Sequence, residues 1–231
     1  MSEISYQVIR SSKRKTVSIQ FDGTSVVVRA PKNLSEEIIV QIVQKKSRWI
    51  KEKLKIQEEV LSRIKPRKYI DGELYSFLGE NYLLKVVDGK PGRVQLKHER
   101  FVVQIPDDFS TEKKKEFIRT QMIEWYQEHG LICLNNKVKR FSEVLGVSPS
   151  SVGIKSYKSR WGSCSRDGNL TFNWRVIMSP HRYVGYLVVH ELCHLVHMNH
   201  SREYWEKVES IIHDYQECRN WFRLNGVTLN V

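Results

Sequence analysis

The chain of 231 residues has no apolar run long enough to cross a bilayer, which needs about 20 consecutive apolar residues. Its first ten residues, Met1 to Arg10, mix polar and charged side chains with isolated Ile and Val, so they lack the apolar segment of a secretory signal. A cytoplasmic location with no membrane association is the expectation. Only four cysteines occur, Cys133, Cys164, Cys193 and Cys218, and none forms a CxxC pair, which argues against a zinc ribbon or a disulfide scaffold. There is no internal repeat, no low-complexity tract and no GxxxxGK[ST] loop to cradle phosphates. Acidic residues are in deficit, 26 against 38 Lys+Arg, for a formal net charge of +12. Such an excess draws phosphate-rich or acidic partners without identifying one, and leaves a nucleotide or nucleic acid open. The basic stretches Lys13 to Lys15, Lys45 to Lys55, Lys65 to Lys68, Lys113 to Lys115 and Lys137 to Arg140 read mostly as solvated helix faces, with Glu52 mixed into the second. Oligomeric state is not legible.

A hydrophobic content of 40% is enough for a core, in one large domain or two small ones. Thr16 to Phe21 alternates, Asp22-Gly23 signals a turn, and Ser25 to Arg29 continues as a second strand, which predicts a hairpin. Leu34 to Ile64 has helical spacing at Ile38, Ile42, Trp49, Ile50 and Leu54, with Ser35 as cap. Four strands follow, Leu74 to Leu78, Tyr82 to Val87, Arg93 to Lys97 and Phe101 to Ile105, expected as an antiparallel meander joined to the first hairpin. From Thr111 to Leu145 an apolar stripe predicts a long helix ended by Gly146 and Pro149. Val152 to Tyr157 and Leu170 to Trp174 read as strands flanking a loop, and Ser201 can cap a later helix carrying Tyr204 and Trp205. The aromatic residues there have the helical spacing of packing groups. The expected class is α+β: an N-terminal antiparallel β unit with one long helix over 1–108, then a second domain over 109–231.

The second domain carries His190-Glu191-Leu192-Cys193-His194. On a helix, residues four apart project from one face, so His190 and His194 can reach one ion, while Glu191 lies about 100° further round, beside that ion. A helix is well signalled, with Ser179 to cap it, Pro180 in its first turn, and Val184, Leu187, Val188, Leu192 and Leu195 at apolar spacing. A hydrolytic zinc site takes three protein ligands and leaves one position open, so a third ligand is required. His197 would lie about 10 Å along a continuous helix from His190, too far to share an ion. His200 can return if the helix ends near Met198-Asn199. Glu203, Glu206 and Glu209 are alternatives, with His200 favoured.

The stretches Lys158-Ser159-Arg160-Trp161-Gly162-Ser163-Cys164, Phe172-Asn173-Trp174-Arg175, Val188 to Leu195 and Met198-Asn199-His200-Ser201 with Tyr204-Trp205 resemble the YgjP-like family of zinc metallopeptidases. The likeness extends to the Arg10 to Arg29 hairpin and Asp71-Gly72-Glu73, and so covers nearly the whole chain. It implies a zincin-like catalytic domain, with Zn2+ held by His190, His194 and His200 and Glu191 as the catalytic carboxylate. The implied reaction is peptide-bond hydrolysis, with Glu191 taking a proton from the attacking water and returning it to the leaving amine. Arg160, His181, Arg182 and Tyr183 are candidates to stabilise the oxyanion, and Leu170 to Trp174 is a candidate edge for pairing with an extended peptide. The alternative is a metal-dependent hydrolase of a non-peptide substrate, such as a nucleoside triphosphate held by Arg160, Arg175 or Arg182.

Overall fold

The computed structural model describes residues 4–22, 25–62, 66–157 and 159–231. Gly23 of the expected turn, Ile64 of the expected helix, Lys65 of a basic stretch and Lys158 of the loop motif lie outside them. The chain divides into two compact units between residues 65 and 66.

In the first unit, β2 (Ser18–Asp22) pairs antiparallel with β3 (Ser25–Pro31), as the hairpin reading expects. A further strand, β1 (Tyr6–Ser11), joins the other side of β3 in parallel, which the sequence reading omitted. Val26, Val28 and Ala30 alternate inward along β3 and close a small core with Ile39 and Val43 of α1 (Glu36–Lys45) and Ile50 of α2 (Ser47–Leu61). The single helix expected from Leu34 to Ile64 is therefore two. Lys46 leaves the helical region (φ −99°, ψ 8°), yet its N–H still bonds the Ile42 carbonyl and its carbonyl still accepts from Ile50. Apolar spacing consequently reads straight through the break.

The second unit opens with β4 (Leu74–Phe77), β5 (Glu80–Asp88), β6 (Gln95–Lys97) and β7 (Arg100–Ile105). Leu78, Gly79, His98 and Glu99 all have positive φ, and they close the hairpins β4–β5 and β6–β7. The sheet order is β4-β5-β7-β6 with β5 and β7 parallel, so the expected antiparallel meander is corrected to a mixed sheet, separate from the first hairpin. Alternation fixes which face a residue takes, not which strand lies beside it.

Helix α3 (Thr111–Leu145) begins at Ser110, whose Oγ accepts from the Lys113 N–H, and stops at Gly146 in the left-handed region (φ 67°), as expected of that glycine. Its buried stripe of Ile118, Met122, Trp125, Tyr126, Leu134 and Val138 belongs to the same core as the mixed sheet, with Phe101 edge-on to Trp125 at 4.7 Å. That continuous core is why the chain does not part at 108/109, the boundary expected from sequence.

Strands β8 (Ser151–Lys155), β9 (Gly162–Cys164) and β10 (Asn169–Asn173) form a sheet in the order β8-β10-β9. A 3-10 turn over Trp174–Met178 leads to α4 (His181–Cys193), and α5 (Arg202–Glu209) and α6 (Tyr215–Asn225) follow. Pro180, not Ser179, occupies the cap position of α4, while the Ser179 hydroxyl donates to the Val176 carbonyl. The β4–β5 turn braces this start: Leu78 N–H bonds the Ile177 carbonyl at 2.7 Å, and a Cβ on Gly79 would come within 3.0 Å of Pro180 Cα. The described residues thus make six helices and three small sheets, and no helix is long and apolar enough to cross a membrane.

Candidate metal centre

Helix α4 is buried from Val184 to Val189, so its last turn is carried into the protein interior on apolar packing. It ends at Cys193 with His194 as its cap, more than a turn earlier than the expected Met198-Asn199. The N–H groups of Leu195, Val196 and His197 bond back to the Leu192 and Cys193 carbonyls, satisfying the helix end and turning the chain. His200 is thereby returned to the helix. Its Nε2 lies 3.2 Å from His190 Nε2, and the ligating nitrogens of His190, His194 and His200 are all within 4.8 Å of one another. No other group of three such side chains gathers this way among the described residues. Glu203, Glu206 and Glu209 are not in the cluster, and Glu206 is paired with Arg202 at 2.7 Å.

The donor chemistry fits a divalent metal. Burial pushes the His190 imidazole down to about 3, helped by the neighbouring His194 and His200, and lowers His194 and His200 as well. Three neutral imidazoles are the form that binds metal. Two Nε2 atoms 3.2 Å apart stand close to the ~3.3 Å separation that tetrahedral Zn–N bonds of about 2.0–2.1 Å impose. His194 Nδ1 lies 3.0 Å from the His197 carbonyl, a contact that directs its Nε2 toward the cluster. His197 contributes that oxygen rather than its ring. His190 Nδ1 is buried without a hydrogen-bond partner.

Helix α5 supports the three rings. Ser201 Oγ caps it by accepting from the Tyr204 N–H, as its sequence suggests. The Tyr204 hydroxyl donates to the His190 carbonyl at 2.9 Å, its ring stacks on His194 at 4.6 Å, and Trp205 stacks on His200 at 5.4 Å. Helical spacing identified both aromatics as packing groups, but could not say that what they pack is the imidazole cluster.

Glu191 is 4% exposed, and burial pushes its carboxyl up to about 8 against the opposing pull of Arg160. It is pressed against β9: a Cβ on Gly162 would fall 2.4 Å from Glu191 Oε1. Gly162 is thus a site residue whose role periodicity could not reveal. The expected open edge, Leu170 to Trp174, is corrected, since β10 is the middle strand with β8 on one side and β9 on the other. The edges are β8 and β9, and of these β9 carries Gly162, the residue against Glu191.

A cavity of about 700 Å³ opens onto His190, Glu191 and His200, with Trp161, Trp205 and Phe222 among its apolar walls. Of the four side chains considered for an oxyanion, only Arg160 lines it. Arg182 is ion-paired with Asp214 and Glu217, Tyr183 stacks on Trp221 at 4.2 Å, and His181 borders a different cavity. Arg175 lies over Trp174 and bonds Ser156, so it too is outside this cavity.

Three convergent imidazoles beside a buried carboxyl in a cleft are a donor set that can hold a divalent metal. Residues 15–225 match the YgjP-like, metallopeptidase domain family, and the chain belongs to that family. It is a metallopeptidase-family hydrolase, and a catalytic metal is implied. A search of curated proteins finds no match. Among solved structures, the metallopeptidase zymogen of Pyrococcus abyssi abylysin is 23% identical, over 39% of this chain and 94% of that one, with a TM-score of 0.36. That superposition is too small to bear on the fold.

Proposed function

We propose that the protein is a zinc metallopeptidase with a zincin-like catalytic domain, in which His190, His194 and His200 hold the metal and Glu191 is the general base and acid. The observation that carries this reading is the convergence of the three imidazoles within 4.8 Å beside a carboxyl buried to 4% exposure. When bound, zinc supplies Lewis acidity that polarises the scissile carbonyl and acidifies the attacking water. Glu191 then accepts the water proton on a carboxylate oxygen and delivers it to the leaving amine as the C–N bond breaks. Its low solvation makes it a strong enough base to accept that proton and a weak enough one to release it. Arg160 faces the same cavity and is assigned to the developing oxyanion. The unpaired side of β9, with Gly162 against Glu191, offers main-chain groups to an extended peptide. Trp161 and Phe222 exclude water beside it.

Glu191→Gln is expected to keep about one zinc per chain by elemental analysis while losing peptide hydrolysis. His200→Ala should lose most of the zinc, and His197→Ala, which retains the carbonyl that His194 uses, should keep it. A folded Glu191→Gln protein without zinc would remove the assignment of Glu191 to proton transfer. Zinc-dependent cleavage of nucleoside triphosphates with no peptide cleavage would replace the substrate class with a phosphoanhydride.

A further inference from the structure

The cavity beside Glu191 carries Arg160 from the β8–β9 loop and Arg219 and Arg223 from one face of α6, four residues apart. None of the three has a carboxylate within 4.0 Å among the described residues. Arg219 lies over the Trp205 ring at 5.1 Å, Arg160 over Tyr157 at 5.5 Å, and Arg223 bonds only the neutral side chain of Asn220 at 2.6 Å. By contrast, near the same helices Arg182 takes Asp214 and Glu217, and Arg202 takes Glu206. The cavity wall contains a single carboxyl, Glu191, against three guanidinium groups. Three guanidinium groups lining one cleft repel each other, and one carboxyl cannot balance all three.

We infer that Arg219 and Arg223, beside the oxyanion-facing Arg160, form an anion subsite that receives a carboxylate of the peptide substrate next to the bond being cut, so that the enzyme prefers acidic peptides. This rests on the peptidase reading above and names the substrate class for it. Guanidinium forks bind carboxylates through paired N–H donors, and the aromatic walls leave room for the apolar part of the same residue. The carboxylate can come from an Asp or Glu side chain or from a free C-terminus. Either source presents the same group to the same arginines.

The test uses the full-length zinc-loaded protein and peptide pairs that differ in one group: Glu against Gln near the scissile bond, and free acid against C-terminal amide. The ratio of kcat/KM for the charged over the neutral member is expected to exceed about tenfold, which is about 1.4 kcal/mol. It should fall toward one in Arg219→Gln/Arg223→Gln and drop below one in Arg219→Glu/Arg223→Glu, which would then prefer Lys-containing peptides. A second readout does not require turnover. Binding of the same peptides to Glu191→Gln protein, followed by the fluorescence of Trp161 and Trp205, should show a Kd ratio that collapses with the same substitutions and with rising salt. The pair that responds, side chain or terminus, identifies the source. Peptide cleavage with no preference for either charged member, in a protein whose arginine variants fold, would overturn the subsite and leave the peptidase reading standing. Arginine-dependent binding of acidic peptides without any cleavage would retain the subsite and remove the peptidase reading. Tighter arginine-dependent binding of nucleoside triphosphates than of acidic peptides would overturn the carboxylate assignment.

Discussion

Glu191 sits between two histidines that point to the cluster, and the rotation of an α-helix alone places it beside them rather than among them. Its surroundings impose a proton: buried, with its carboxyl pushed up to about 8, it is neutral through most of the physiological range in the metal-free protein. A carboxyl whose folded-state pKa is above its unfolded value of about 4.3 contributes stability that is complete at low pH. That contribution is lost as pH rises through about 8. Glu191→Gln removes this titration. In excess chelator, the Tm of Glu191→Gln minus that of the native protein is therefore expected to grow from pH 5 to pH 9, measured by calorimetry. A flat difference would mean the carboxyl is solvated. At this scale spacing named His190, Glu191 and His194 as candidates and favoured His200 over Glu203, Glu206 and Glu209, and the structure brings those three imidazoles together. Gly162 and the arginines of α6 were not legible, because each matters through a neighbour distant in sequence.

Strands and helices were legible in type and less so in partnership. The spacing of Thr111 to Leu145 specified α3 and its glycine stop, since propensity and periodicity are properties of neighbouring residues. Alternation in Leu170 to Asn173 specified a strand and left its place in the sheet undetermined. The edges fell instead to β8 and to β9, the latter three residues long and set in what the sequence presents as a loop. Its Gly162 meets Glu191 so closely that Gly162→Ala must displace either the carboxylate or the strand. That substitution is expected to lower kcat by roughly tenfold to a hundredfold, in line with a misplacement of about 1 Å at a reacting group, while zinc content stays near one per chain. Loss of zinc would show instead that β9 holds the imidazole cluster together.

At the scale of the molecule, every residue of the proposed site and the large core lie in the unit that begins at Pro66, and the first unit has a core of its own. Residues 66–231 expressed alone are expected to fold cooperatively and bind one zinc, as read by thermal denaturation and elemental analysis. A fragment that aggregates, or folds without binding zinc, would make the first unit part of the site's support. The sequence boundary at 108/109 was drawn where β pattern gives way to helix, yet units are separated by where cores end, and Phe101 and Trp125 belong to one.

The third imidazole differs from the other two in footing. His190 is on a buried helix and His194 at its cap, but His200 is exposed, past a turn, ahead of α5. A chelator or an incoming ion meets that side first. With zinc held as proposed, metal exchange would begin at His200, at a rate that would follow how often the Trp205 stack releases that ring. Removing the indole, as in Trp205→Ala, would quicken zinc exchange far more than it weakens the zinc equilibrium.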